Sequence, residues 1–94
     1  MVQEFFKQER EYEAFLRGGG YVCNGLGMGP QEHRVHRAEC NSLNHGGPAR
    51  RGARTTVRKA ASRSLDDLHE WLIKNYGREG AGFQYCAFCR PQDG

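Results

Sequence analysis

No stretch of this chain approaches the roughly 20 consecutive apolar residues that a membrane-spanning helix requires. The opening residues, Met1-Val2-Gln3-Glu4, contain neither the basic n-region nor the apolar h-region of a secretory signal. These two absences argue against membrane insertion and against an oxidising compartment, so the expected localisation is cytoplasmic with reduced thiols. Apolar residues are also scarce, 37% of 94, while 13 positions are glycine. One domain over 1–94 is expected, and its core must be small. Small cores bury a low fraction of their surface and often need a crosslink.

Cations concentrate in one segment that holds no acid. Residues 50–63 hold Arg50, Arg51, Arg54, Arg58, Lys59 and Arg63 with no acid, a local charge of +6. The preceding 49 residues carry five cations against six glutamates, and the last 31 carry three against five acids. The net charge of +3 therefore resides in one segment. No acidic cluster suits a Mg²⁺-dependent nuclease, because Asp66 and Asp67 fit the start of a helix.

Four cysteines and four histidines stand against this background. His36 and Cys40 are four apart, a spacing that places both on one side of a helical turn. Cys86 and Cys89 form a C-x2-C pair, which bends the backbone so that both thiolates face one ion. One imidazole and three thiolates complete a tetrahedral set for structural Zn²⁺, with no position left for water. Iron is the alternative metal for such a thiolate-rich site. Cys23 has no ligand partner nearby in sequence and reads as a buried small hydrophobe. His33 lies three residues before His36, points to the opposite face of an extended segment, and reads as a surface histidine.

The element pattern predicts an α+β fold: two helices packed on a short antiparallel sheet, stapled by the metal. Residues 3–17 show a helical stripe of Phe5, Tyr12, Phe15 and Leu16, with Phe6 widening it, ended by Gly18-Gly19-Gly20. Tyr21–Asn24 reads as a strand with Tyr21 and Cys23 on one face and Val22 on the other. The Gly25–Pro30 stretch reads as a hairpin loop, since it lacks the Lys-Ser/Thr ending of a phosphate-binding loop. Gln31–Val35 returns as a second strand. The 41–63 region is a basic loop that ends in a strand near Thr55–Arg58. Asn41, Asn44 and His45 hint at a small histidine–asparagine–histidine nuclease, but no flanking ββα pattern supports it. Ser64 caps a second helix with Leu65, Leu68, Leu72 and Tyr76 on one face and Trp71 beside them, stopped at Gly77. Phe83–Tyr85 reads as a last strand leading into the Cys86–Cys89 turn.

The segments Tyr12-Glu13-Ala14-Phe15-Leu16, Gly20-Tyr21-Val22-Cys23-Asn24, Val35-His36-Arg37-Ala38-Glu39-Cys40, Leu68-His69-Glu70-Trp71 and Cys86-Ala87-Phe88-Cys89-Arg90-Pro91 carry a resemblance that covers almost the whole chain. The chain resembles a family of small bacterial zinc-binding domains, often N-terminal in longer proteins, with an H-R-A-x-C … C-x2-C-x-P pattern. That resemblance implies the fold and the metal, and no particular activity.

The leading expectation is a zinc-stabilised nucleic-acid-binding module, with DNA favoured and the six cations of 50–63 as its contact residues. The alternative is a protein-interaction or homodimerisation module that uses the apolar stripe of the N-terminal helix. A thiol enzyme is disfavoured because Cys40, Cys86 and Cys89 are taken by the metal, so no catalytic residue is assigned.

Overall fold

The computed structural model describes residues 1–40, 43 and 57–93. Its first element departs from the sequence expectation. Gln3–Phe5 is a strand, β1, and the helix α1 begins only at Glu9 and runs to Arg17. Lys7 lies between them with φ 62°, a left-handed conformation through which a right-handed helix cannot pass. Within α1 the expected stripe is intact, since Tyr12 and Phe15 are buried and Leu16 packs beside them.

The remaining elements are β2 (Tyr21–Leu26), a 3₁₀ turn at Pro30–Glu32, β3 (Arg34–Arg37), β4 (Arg58–Ser62), α2 (Leu65–Tyr76), β5 (Gln84–Tyr85) and a 3₁₀ turn at Pro91–Asp93. The strands form one sheet in the order β1-β4-β2-β3-β5. Three of its pairings are antiparallel, but β3 and β5 are parallel. The expected purely antiparallel sheet is thus corrected to a mixed one. The cause is α2. Strands β3 and β4 both run antiparallel to β2 and so share a direction. After β4 the helix carries the chain back, so β5 sets out in that same direction and must join β3 in parallel.

Period-two alternation divides the core into two layers. Cys23 of β2 and Ala60 of β4 face one side, where they meet Leu68 and Leu72 of α2 together with Val35 and Phe83. Val22 and Ala61 face the other side and meet Tyr12 and Phe15 of α1, with Phe5 and Leu43. The two helices therefore cover opposite faces of the sheet, each burying its apolar stripe. Trp71 packs at the rim of the α2 layer. No helix among the described residues is long and apolar enough to cross a membrane.

Helix α2 has the ends its sequence predicts. Ser64 Oγ accepts a hydrogen bond from the Asp67 amide, Asp66 and Asp67 occupy the first turn, and Gly77 ends the helix at φ 108°. Ser64→Ala should destabilise the domain by about 1 kcal/mol in urea unfolding. An unchanged midpoint would show that the cap contributes nothing. His33, expected at the surface, is instead buried at 3% exposure. Its Nδ1 bonds the Gly82 carbonyl at 2.9 Å, and its ring sits edge-on to Tyr76 at 4.6 Å. It ties the end of α2 to the start of β3, which a strand alternation read from sequence alone does not reveal.

Candidate metal centre

Parallel pairing brings the carboxyl ends of β3 and β5 to the same edge, and each end carries two of the four candidate ligands. His36 lies within β3, paired with Val22 of β2 and so on the α1 side of the sheet. Just past β3 the chain turns sharply, with the Ala38 amide bonded to the Gly20 carbonyl and the Cys40 amide to the Arg37 carbonyl, both at 2.9 Å. That turn returns Cys40 towards His36. The two ligands meet through a strand and a turn, not through the helical turn their spacing suggested. The β5 ladder continues past Tyr85 when the Cys86 amide bonds the Val35 carbonyl at 2.8 Å. The Cys86–Cys89 turn is then closed by the Arg90 amide on the Cys86 carbonyl at 3.1 Å. The result is a cluster in which the ligand atoms of His36, Cys40, Cys86 and Cys89 all lie within 4.8 Å of one another.

The cluster has the chemistry of a metal site. The Cys40 and Cys86 sulfurs are 3.9 Å apart, too far for a disulfide. Sulfurs at about 2.3 Å from a tetrahedral zinc ion would be about 3.8 Å apart. Backbone amides point at sulfur, among them Arg37 N–H at Cys89 Sγ over 3.2 Å and Phe88 N–H at Cys86 Sγ over 3.4 Å. Such donors stabilise thiolate charge. Burial works to raise the Cys86 pKa, but the amides of Cys89 and Phe88 and the thiols of Cys89 and Cys40 outweigh it and lower the value. Burial pushes Cys89 up to about 12, with the thiols of Cys40 and Cys86 adding to the effect against the Arg37 amide. The protein alone therefore favours the thiolate at Cys86 over that at Cys89. A divalent cation would supply the charge that lets Cys89 ionise as well. Burial, followed by the charges of Arg34 and Lys59, lowers His36 to about 4, so its imidazole is neutral, the ligating form. Its Nδ1 is buried without a hydrogen-bond partner. The four residues thus fit a soft divalent metal ion.

Arg37 is the residue that motif spacing missed. Besides its amide, its guanidinium donates to the Cys89 carbonyl at 2.9 Å and the Arg90 carbonyl at 3.1 Å. It clasps the C-x2-C turn against the end of β3. Its place in the H-R-A-x-C segment, directly after a candidate ligand, was its signal in the sequence. Cys23 lies apart from the cluster, fully buried in the α2 layer, and burial raises its pKa to about 12. This matches its reading as a core residue.

The six residues of the expected basic contact are placed unevenly. Arg50, Arg51 and Arg54 lie outside the described residues. Arg58 is exposed, with its guanidinium carbon 4.7 Å from the Phe6 ring centroid. Lys59 is buried at 3% exposure, where its ammonium donates to Asn24 Oδ1 at 2.5 Å, so it does not belong to an open basic edge. Arg63 is exposed but occupied: it donates to the Phe15 carbonyl at 2.7 Å and to the Gly19 carbonyl, and stacks on Phe15. It adds a charged donor to carbonyls at the end of α1, the role a cation commonly takes there. No family model matches this chain, and none of the curated proteins or solved structures matches it either.

Proposed function

We propose that this domain is a zinc-stapled nucleic-acid-binding module, with DNA the favoured partner and the 50–63 segment its main contact. The observation that carries the proposal is charge segregation: six cations and no acid within 14 residues of a chain whose other parts are net acidic. Zinc is the metal we assign, since three thiolates and one imidazole form a closed tetrahedral set. A closed set leaves no site for water or substrate, which supports a structural ion and a non-enzymatic role. Thiolate ligation also fits a reducing compartment such as the cytoplasm. The alternative contact through the N-terminal helix has less support, because Phe5 and Phe15 are buried and only Phe6 of that trio is exposed, at 38%.

The test is fluorescence anisotropy with labelled duplex and single-stranded oligonucleotides across a salt series. Three to five phosphate contacts predict a slope of log K on log salt of roughly −3 to −4.5 for duplex. Charge reversal of Arg50, Arg51 and Arg54 to Glu should weaken binding at least about 100-fold at 0.1 M salt. Binding that ignores both salt and charge reversal would overturn the proposal.

A further inference from the structure

Phe6 follows the edge strand β1, and two cations rest on its ring. The Lys7 ammonium is 5.2 Å and the Arg58 guanidinium carbon 4.7 Å from the ring centroid. Both side chains are exposed, and among the described residues neither pairs with a carboxylate. Sharing one centroid keeps the two charges within about 10 Å of each other, near the Debye length at ~0.1 M salt, so they repel without full screening. Lys7 also holds the left-handed φ of 62°, which glycine or asparagine adopts more readily. A lysine there and an unpaired arginine beside it favour an anion between them. Arg58 opens β4 and is itself one of the six cations of the basic segment. β1 is an edge of the sheet, which leaves this corner open to approach.

We infer that Lys7 and Arg58, aligned by Phe6, clamp a phosphodiester group of the bound nucleic acid, which adds Lys7 to the contact residues of 50–63 and carries that contact onto the β1–β4 edge. The inference rests on the proposed nucleic-acid-binding function. Arginine supplies a planar fork for two phosphate oxygens, and lysine supplies a compact charge. A lipid headgroup presents the same phosphodiester chemistry. However, an interfacial aromatic inserts its free ring into the bilayer, and here the ring is occupied by the cations.

The experiment uses the full chain and the same salt-series anisotropy. Lys7→Gly keeps the left-handed backbone accessible and removes the ammonium together with its side chain. Arg58→Gln removes the second charge. Each should reduce the magnitude of the duplex salt slope by about 0.9 and raise Kd about fivefold at 0.15 M salt, the effect of one released counterion referred to 1 M. Phe6→Ala keeps both charges, so it should raise Kd while leaving the slope unchanged. Wild-type Kd and slope in both Lys7→Gly and Arg58→Gln, with the 50–63 charge reversal still disruptive, would overturn the clamp and leave the proposed function standing. No oligonucleotide binding by the wild-type chain at 0.05 M salt would overturn both. Separate arms use phosphatidylserine vesicles and inorganic phosphate. Binding in either arm that is lost in Lys7→Gly while oligonucleotide binding is unaffected would reassign the corner and overturn the inference.

Discussion

Cys86→Ser is expected to abolish both the metal content of the domain and its cooperative unfolding transition. Cys86 is the least exposed residue of the three clustered cysteines, at 2%. It lies 3.9 Å from Cys40 Sγ, receives the Phe88 amide, and continues the β5 ladder through its own amide on Val35. Serine keeps the backbone bond but is a far poorer ligand for a soft ion. Structural zinc contributes about 10–16 kcal/mol of apparent binding free energy in small finger peptides, against net stabilities of about 5–15 kcal/mol for whole domains. Loss of a ligand that weakens the ion by even a third of that range removes most of the stability of so small a core. Metal-to-protein ratio by mass spectrometry and near-ultraviolet circular dichroism together read the outcome. Cys23→Ala is the matched control: its sulfur lies in the α2 layer, away from the cluster, so metal content should remain one ion per chain while stability falls by about 1 kcal/mol. A folded, metal-loaded Cys86→Ser protein would remove Cys86 from the ligand set. Equal metal loss in both variants would remove the cluster as the binding site.

Much of the site was legible before the fold, because ligand chemistry is local. A Cys-x2-Cys turn and a His-x3-Cys pair advertise themselves by residue type and spacing, and the structure brings those four side chains together. What spacing does not carry is direction. An antiparallel β5 would have sent Cys86 to the far end of β3. The parallel pairing that joins the two ligand pairs follows from α2 reversing the chain after β4. The amphipathic stripes of α1 and α2 and the Ser64 cap were equally readable, since they arise from periodicity and local hydrogen bonding. The first five residues were not. Phe5 extends the helical spacing of Tyr12 and Phe15 by chance, and only the left-handed Lys7 separates strand from helix. Lys59 and His33 were misplaced for one reason: residue type predicts exposure, whereas a partner such as Asn24 Oδ1 or the Gly82 carbonyl makes burial tolerable.

Gly82→Ala is expected to destabilise the domain by about 3 kcal/mol and to weaken the metal with it, though Gly82 is not a ligand. A Cβ at Gly82 would lie 2.3 Å from the Tyr76 carbonyl oxygen, 2.6 Å from the Tyr76 carbonyl carbon and 2.9 Å from the Gly77 oxygen. All three are backbone atoms at the end of α2 and cannot rotate away. The Gly82 carbonyl also accepts the His33 Nδ1 bond, and its amide donates to the Arg78 carbonyl at 2.7 Å. A displaced Gly82 therefore pulls on β3 through His33 and on β5 two residues later, and Cys86 directly follows β5. Gly80→Ala is the comparison. Gly80 has φ +91°, so alanine is strained there, but its Cβ would meet nothing within 4 Å. Both substitutions stiffen the unfolded chain equally, and strain alone costs about 1 kcal/mol at Gly80. The excess loss in Gly82→Ala then measures the close approach itself. At about 4–8 °C per kcal/mol for a domain of this size, Gly82→Ala should melt roughly 15 °C lower and Gly80→Ala roughly 5 °C lower. Because metal binding is linked to folding, competition with a chelator should strip the ion from Gly82→Ala at lower chelator concentration than from Gly80→Ala. Equal melting temperatures would mean that the end of α2 yields to a methyl group, and that the packing of Gly82 does not position the metal ligands.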